Sequence, residues 1–269
     1  MSIFGLELRN LRRSAATGTL LVSLILVLLL AFFPSMQSES MQALTGAKLE
    51  SIDPALLAAL GLSVIVDFTK ITNFFGYILQ FISLGIMIMT TQQAVSLLIK
   101  EETDGTIEYL CAKPVSRADI FAQKALAHLT VFALTTLCYV AVTVAGYLLV
   151  GNYTFGAAAR EVGVFFGAIF FAGLIFSSVG LLLSTLLRSS KGASGLTIAM
   201  VFGTFLLGVL STLINKLSFL VWLSPLDWIK PEKLMSRGIL TAEWIVGGAV
   251  IVGCLTAAWL LYRRKDLLI

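Results

Sequence analysis

The chain has 269 residues, of which 58% are hydrophobic and only 13% charged, with a net charge of +4 at pH 7. A soluble domain carries about a quarter charged residues, so the composition excludes a soluble module and points to an all-α polytopic membrane protein. The small net charge decides little as a total; its distribution along the chain sets orientation. Five prolines exclude a Pro-rich linker architecture, and no low-complexity tract or solenoid-range repeat stands out.

The opening residues, SIFGLELRNLRR, place Phe4, Leu8 and Leu11 at i, i+4, i+7 spacing, mixed with Glu7, Arg9, Arg12 and Arg13. One apolar helical face beside basic residues predicts a short helix lying in the membrane interface over residues 1–14. Arg12 and Arg13 ahead of an apolar run also look like the start of a signal peptide. FFPSMQS follows that run in place of a small-residue cleavage site, so no cleavage is expected.

Six apolar runs follow, near residues 18–33, 74–99, 126–150, 162–187, 192–214 and 244–262. Each is long enough to cross ~30 Å of hydrocarbon at about 1.5 Å per residue. Pro34 is expected to end the first. With both termini on the cytoplasmic side, the inner segments hold Arg9, Arg12, Arg13, Lys100, Lys113, Arg117, Lys124, Arg188, Lys191, Arg263, Arg264 and Lys265. The outer segments hold Lys48, Lys70, Arg160, Lys216, Lys230, Lys233 and Arg237. The denser inner positive charge fixes that orientation.

Residues 100–124, KEETDGTIEYLCAKPVSRADIFAQK, form a polar island between the second and third runs. So many polar groups are not desolvated without partners, so the island lies outside the hydrocarbon. Gly105 is expected to interrupt the helix leaving the second span. Residues 106–111 read as a short helix, which Pro114 stops by removing an N–H and by restricting Lys113. Ser116 with Asp119 three residues later has the form of a capping box that opens the third span. The result is a small knob joined stiffly to two spans.

EETDGTIEYLCAKPVSRADI resembles the loop between the second and third spans of ABC-2-type permeases. LSPLDWIKPEKLMSRG resembles the outer segment before their last span, and WLLYRRKDLLI their ending. With the six-span layout, the likeness extends over nearly the whole chain. It implies a transmembrane half-transporter that pairs with a second permease subunit, identical or related, in a bacterial plasma membrane. It also implies a cytosolic ATPase subunit that binds ATP and Mg, with the short loop helix and the N-terminal helix fitted against it. The residues that the resemblance assigns to this contact are Glu101, Glu102, Gly105, Thr106, Glu108, Pro114, Val115, Ser116 and Arg117. The outer segment before the last span would dip back toward the membrane and close the outer gate.

No G-x-x-x-x-G-K-[ST] occurs, so the chain has no P-loop of its own, and Lys191-Gly192 has the reverse order. Cys111, Cys138 and Cys254 form no CxxC, and the single His128 does not complete a zinc site with them. They read as reduced packing residues. No nucleic-acid partner is expected; membrane lipid is. Gly192-Ala193-Ser194-Gly195 matches the GxSG string of rhomboid proteases, but the only histidine precedes it in the chain, which counts against an intramembrane serine protease. A secondary transporter or a signalling permease stays open as a second reading, although no run of intramembrane carboxylates or histidines supports ion coupling.

Asp67 and Lys70 precede the second span, Glu161 opens the fourth and Glu243 the sixth, each at the outer interface. Gln80, Gln92, Gln93 and Thr143 read as interhelical hydrogen-bonding groups, and Gly163 with Gly167 as a GxxxG packing site. The outer segment at residues 34–73 contains amphipathic stretches that would form short helices. Lining residues of the Phe, Leu, Val, Gly and Thr types suit an amphipathic or hydrophobic substrate.

The charge asymmetry generates a topology test. In a cysteine-free background, single cysteines at Gln42, Asn152 and Lys233 are expected to react with a membrane-impermeant thiol reagent on intact cells. One at Thr103 is expected to stay unlabelled until the membrane is opened; labelling from outside would overturn the six-span layout.

Overall fold

The structure, a computed structural model, describes residues 3–38, 57, 67–103, 115–187 and 192–264. Among these residues it contains no strand. In chain order the helices are α1 (Ile3–Met36), α2 (Ile71–Thr103), α3 (Arg117–Val150), α4 (Phe155–Leu186) and α5 (Ala193–Leu213). A 3-10 stretch (Asn215–Leu223), two short helices α6 (Pro225–Trp228) and α7 (Pro231–Ser236), and α8 (Thr241–Arg264) follow. Helices α1 to α5 and α8 are the six that are long and apolar enough to span a membrane. The protein is therefore an all-α polytopic membrane protein. Its proximal end carries the starts of α1 and α3 and the ends of α2, α4 and α8.

The helices outrun the apolar segments. α1 and α3 have 34 residues each, α2 has 33 and α4 has 32. At ~1.5 Å per residue each is about 50 Å long, well beyond ~30 Å of hydrocarbon. Backbone hydrogen bonding continues past the last apolar residue until a cap or breaker stops it, which hydropathy does not report. Ser116, at φ −71° and ψ 153°, starts α3. Gly192, at φ 86°, occupies the left-handed conformation before α5.

The N-terminal region departs from the expected layout. Residues 3–14 are not a separate interfacial helix but the first turns of α1, continuous with the first span. Nothing between Ser14 and Gly18 breaks the helix. Gly18 serves close approach instead: a Cβ there would lie 1.8 Å from Met89 Cε. Pro34 lies within α1, near its end, rather than terminating it. The buried stripe runs through Ile3, Glu7, Leu11, Ala15, Gly18, Val22, Leu26, Leu30 and Phe33. Its three- and four-residue steps are helical, and it places Glu7 on the packed face.

Helices adjacent in sequence are not the principal partners. α1 lies parallel to α3, with Glu7 beside Lys124 near their starts and Leu30 against Gly146 near their ends. α2 lies parallel to α4, from the Phe75–Phe165 ring contact to a hydrogen bond from Leu98 N to Ser184 Oγ (3.0 Å). α8 packs along α4, where Gly247 admits Phe171 and Ile175. Gly173 receives the Phe132 ring, and Gly180 meets Ala94 and Thr91. Small residues let helices approach where lipid gives no hydrophobic drive for association. Gly163 and Gly167 do not serve this purpose within the protomer, because a Cβ on either would meet nothing within 4 Å. Within the protomer the expected GxxxG contact is not made, because that face of α4 points outward.

The segment after α5 folds back along the bundle. A Cβ at Gly208 would lie 2.7 Å from Ser224 Oγ and 3.0 Å from Asp227 Cβ, five residues before α5 ends. Pro231 packs in the same way on Gly76 of α2. Asp227 is fully buried and paired with Lys230 (2.7 Å) and Lys233. Trp228 is buried too, and its Nε1 donates to Val221 O at 2.8 Å. Glu243 receives a two-pronged contact from Arg237 (2.8 and 3.3 Å) and the Leu240 N–H (2.8 Å). Before α2, the Thr69 hydroxyl donates to Asp67 and holds that carboxyl below its usual range.

Gly208→Val is expected to dislodge the folded-back segment and destabilise the protein by about 1–3 kcal/mol, read as a lower unfolding temperature in detergent. Gly203→Val, on the same helix but with open space around its Cβ, should change little. Equal behaviour of the two would contradict the close contact at Gly208.

Candidate functional site at the proximal ends of the first three helices

The polar island divides between described and undescribed residues. Glu101 and Glu102 continue α2, which ends at Thr103. Gly105, Thr106, Glu108 and Pro114, with the short helix expected over residues 106–111 and Cys111, lie outside the described residues. Val115 is half-buried against the proximal core cluster, while Ser116 and Arg117 are exposed. The expected cap is present: Asp119 N donates to Ser116 Oγ at 3.1 Å, and Ser116 Oγ donates to Asp119 Oδ2 at 2.6 Å. The third helix therefore starts at Arg117, and residues 117–124, expected as loop, form its first turns.

Lys124, expected in solvent, is 1% exposed. Its Nζ donates to Leu97 O of α2 at 2.6 Å and lies 3.4 Å from Glu7 Oε2 of α1. One ammonium thus joins three helices at the two ends of the island. Beside it, Gln123 Oε1 accepts the Phe4 N–H at 3.1 Å, which satisfies one of the free donors at the start of α1. Leu97, Leu98 and Ile120 close over the pair with Ile3 and Leu11. Burying a single charge in such surroundings is costly, whereas an ion pair whose ammonium also donates a hydrogen bond is tolerated. Sequence reading missed this pair because Glu7 and Lys124 lie 117 positions apart in the chain. The only signal was the position of Glu7 on the four-residue repeat from Ile3 to Leu11.

Farther into the bundle, Ser177 Oγ lies 3.0 Å from His128 Nε2 and 3.2 Å from Thr90 Oγ1, linking α3, α4 and α2. His128 Nδ1 has no hydrogen-bond partner. Ser194 is engaged elsewhere and accepts from Gln92 Nε2 at 3.0 Å. The GxSG serine is thus paired with an amide and not with the imidazole, and no carboxylate orients His128. This arrangement gives no nucleophile–base pair at Ser194. A cavity of about 270 Å³ between α3, α4 and α8 is lined by Leu126, Leu129, Phe132 and Leu174, with His128, Ser177 and Ser178 as its polar residues. Among the described residues no group of His, Cys, Asp and Glu is placed to hold a metal ion. Cys138 and Cys254 are free.

A family model described as ABC-2 family transporter protein matches residues 1–267. A search of curated proteins found no match.

The buried pair makes a sharp stability prediction. Lys124→Met leaves the Glu7 carboxylate buried without its cation and is expected to cost about 3–5 kcal/mol, seen as early unfolding of the solubilised chain. Adding Glu7→Met should recover most of that loss, because an apolar pair of similar volume replaces the ion pair. If the double variant is no better than the single one, the two residues do not act as a pair.

Proposed function

The chain belongs to the ABC-2 family of transporter proteins, and from that premise we propose that it is the permease subunit of an ATP-driven exporter, coupled to a separately encoded ATPase through the segment between α2 and α3. The observation that carries this reading is the Glu7–Lys124–Leu97 junction. A push on the segment between Thr103 and Arg117 reaches α2 and α3 directly, and reaches α1 through the buried ion pair. Glu101, Glu102, Gly105, Thr106, Glu108, Pro114, Val115, Ser116 and Arg117 are the proposed contact or bracing residues. ATP and Mg would be bound by the partner, since the sequence has no P-loop. The apolar cavity beside His128 supports an amphipathic or hydrophobic substrate. A second permease subunit, identical or related, is proposed from the resemblance of the loop and outer segments to ABC-2 half-transporters. We place the proximal end, with both termini, in the cytoplasm of a cell whose plasma membrane holds the protein. The folded-back segment at the distal end then closes the outer gate.

The test uses the complex reconstituted in vesicles, with transport per ATP measured beside complex yield. Glu102→Ala, Gly105→Val and Ser116→Ala are expected to leave insertion intact and to lower complex yield or transport per ATP; Lys265→Ala is the control. The chain purified alone is expected to hydrolyse no ATP and to co-purify, from cells that make it, with a soluble subunit carrying the nucleotide motifs. Wild-type values for all three loop variants, or robust hydrolysis by the isolated chain, would sink the proposal.

A further inference from the structure

The continuous α1 has a consequence on its outer face. Arg9, Arg12 and Arg13 occupy i, i+3, i+4 positions, on the side of α1 opposite the buried stripe. Lys100, near the end of α2, comes to the same place. With Asn10 these four cations line a concavity of about 400 Å³. All five residues are exposed. Among the described residues no carboxylate pairs with any of the four cations. Glu7 is nearby in sequence, but its side chain is turned inward to Lys124.

The same face of α1 carries Leu20, Leu24 and Val27 farther along, which are 70%, 54% and 51% exposed. They lie at helical offsets of 11, 15 and 18 residues from Arg9, which brings them back to nearly the same angle. Arg13 and Leu20 are about 10 Å apart along the axis, more than the ~5–7 Å polar zone of one leaflet, so Leu20 reaches hydrocarbon when Arg13 lies among headgroups. A molecule lying along this face meets four cations at one end and bare hydrocarbon at the other.

We propose that this concavity binds the phosphate of an anionic phospholipid whose acyl chains lie along Leu20, Leu24 and Val27. Arginines bind phosphate oxygens in forked geometry, while their stems remain against apolar surface. Basic pockets between spans are suited to anionic headgroups. Both chemistries are present on one face of one helix, which favours a lipid over a soluble protein partner. The bound phosphate bridges α1 to α2 three residues before α2 ends, at the root of the segment between α2 and α3. The proposal is independent of the coupling mechanism.

The experiment titrates the whole chain, purified in a neutral detergent, with dioleoylphosphatidylglycerol or dioleoylphosphatidylcholine and counts retained lipids by native mass spectrometry. The anionic lipid should be retained at least about tenfold better, given the contribution of each cation near a headgroup. Arg12→Gln/Arg13→Gln should abolish that preference, Arg12→Lys/Arg13→Lys should keep most of it, and Arg263→Gln/Arg264→Gln, exposed at the same end of the bundle, should keep it fully. Unchanged preference in the glutamine variant would overturn the site. An equal loss in the α8 control would reduce it to general surface charge. Displacement of the lipid by millimolar inorganic phosphate would identify a soluble phosphate as the ligand and refute the lipid. Loss of association with a soluble ATP-binding partner, with lipid preference intact, would assign the patch to protein contact instead.

Discussion

Most polar groups that this chain carries into apolar surroundings are partnered inside the protein, because hydrocarbon offers no hydrogen bonds; His128 Nδ1 is an exception. That constraint accounts for the long helices, which run on until a cap takes over the free backbone groups. It accounts for the hydroxyls of Thr91, Thr130, Thr136 and Thr197, which donate back to carbonyls four residues earlier. It also accounts for the way charge is buried. Lys124 is held by Glu7 and the Leu97 carbonyl, Asp227 by two lysines, and Glu243 by Arg237 and the Leu240 N–H. Geometry rather than net charge decides which elements these clusters join.

Packing follows from the same surroundings. Lipid tails are as apolar as Leu, so association depends on fit. Gly18, Gly146, Gly173, Gly180 and Gly247 each admit a side chain from a neighbouring helix. The aromatic set around Phe75, with Tyr147, Phe165 and Phe166, fills the distal half of the same bundle. The resulting pairs, α1 with α3 and α2 with α4, are parallel and non-sequential. A segment that joins α2 to α3 therefore connects the two pairs, and the hydrogen bond from Lys124 Nζ to Leu97 O links them again at the proximal end. Under the proposed coupling, these contacts would carry movement of one short segment into several spans.

Two features give the proximal end a further character. The charged pair is enclosed, whereas the arginines a few residues along α1 are exposed and aligned with lipid-facing leucines. A single helix thus offers a buried carboxylate to its neighbour and a basic face to its surroundings. Neither property belongs to a short amphipathic helix lying flat in the interface; both require α1 to cross the boundary as one rod.

The six spans, the all-α class and the cap at Ser116 were legible because they depend on local properties: length of apolar runs, helix-stopping residues and side chains that bond to backbone three positions away. The resemblance of residues 101–120 to ABC-2 permeases pointed to the family that the match over residues 1–267 establishes. Residues 3–14 differ from the expected separate helix because nothing between Ser14 and Gly18 breaks α1. Gly163 and Gly167 find no neighbour within the protomer, because a helical face can be drawn from sequence but what lies against it cannot. Composition and periodicity determined that this chain is an all-α membrane protein with six helices long and apolar enough to span a membrane. Tertiary structure alone decided that Glu7 meets Lys124, that His128 meets Ser177 and not Ser194, and that Gly163 and Gly167 face outward, because each depends on which helix becomes the neighbour.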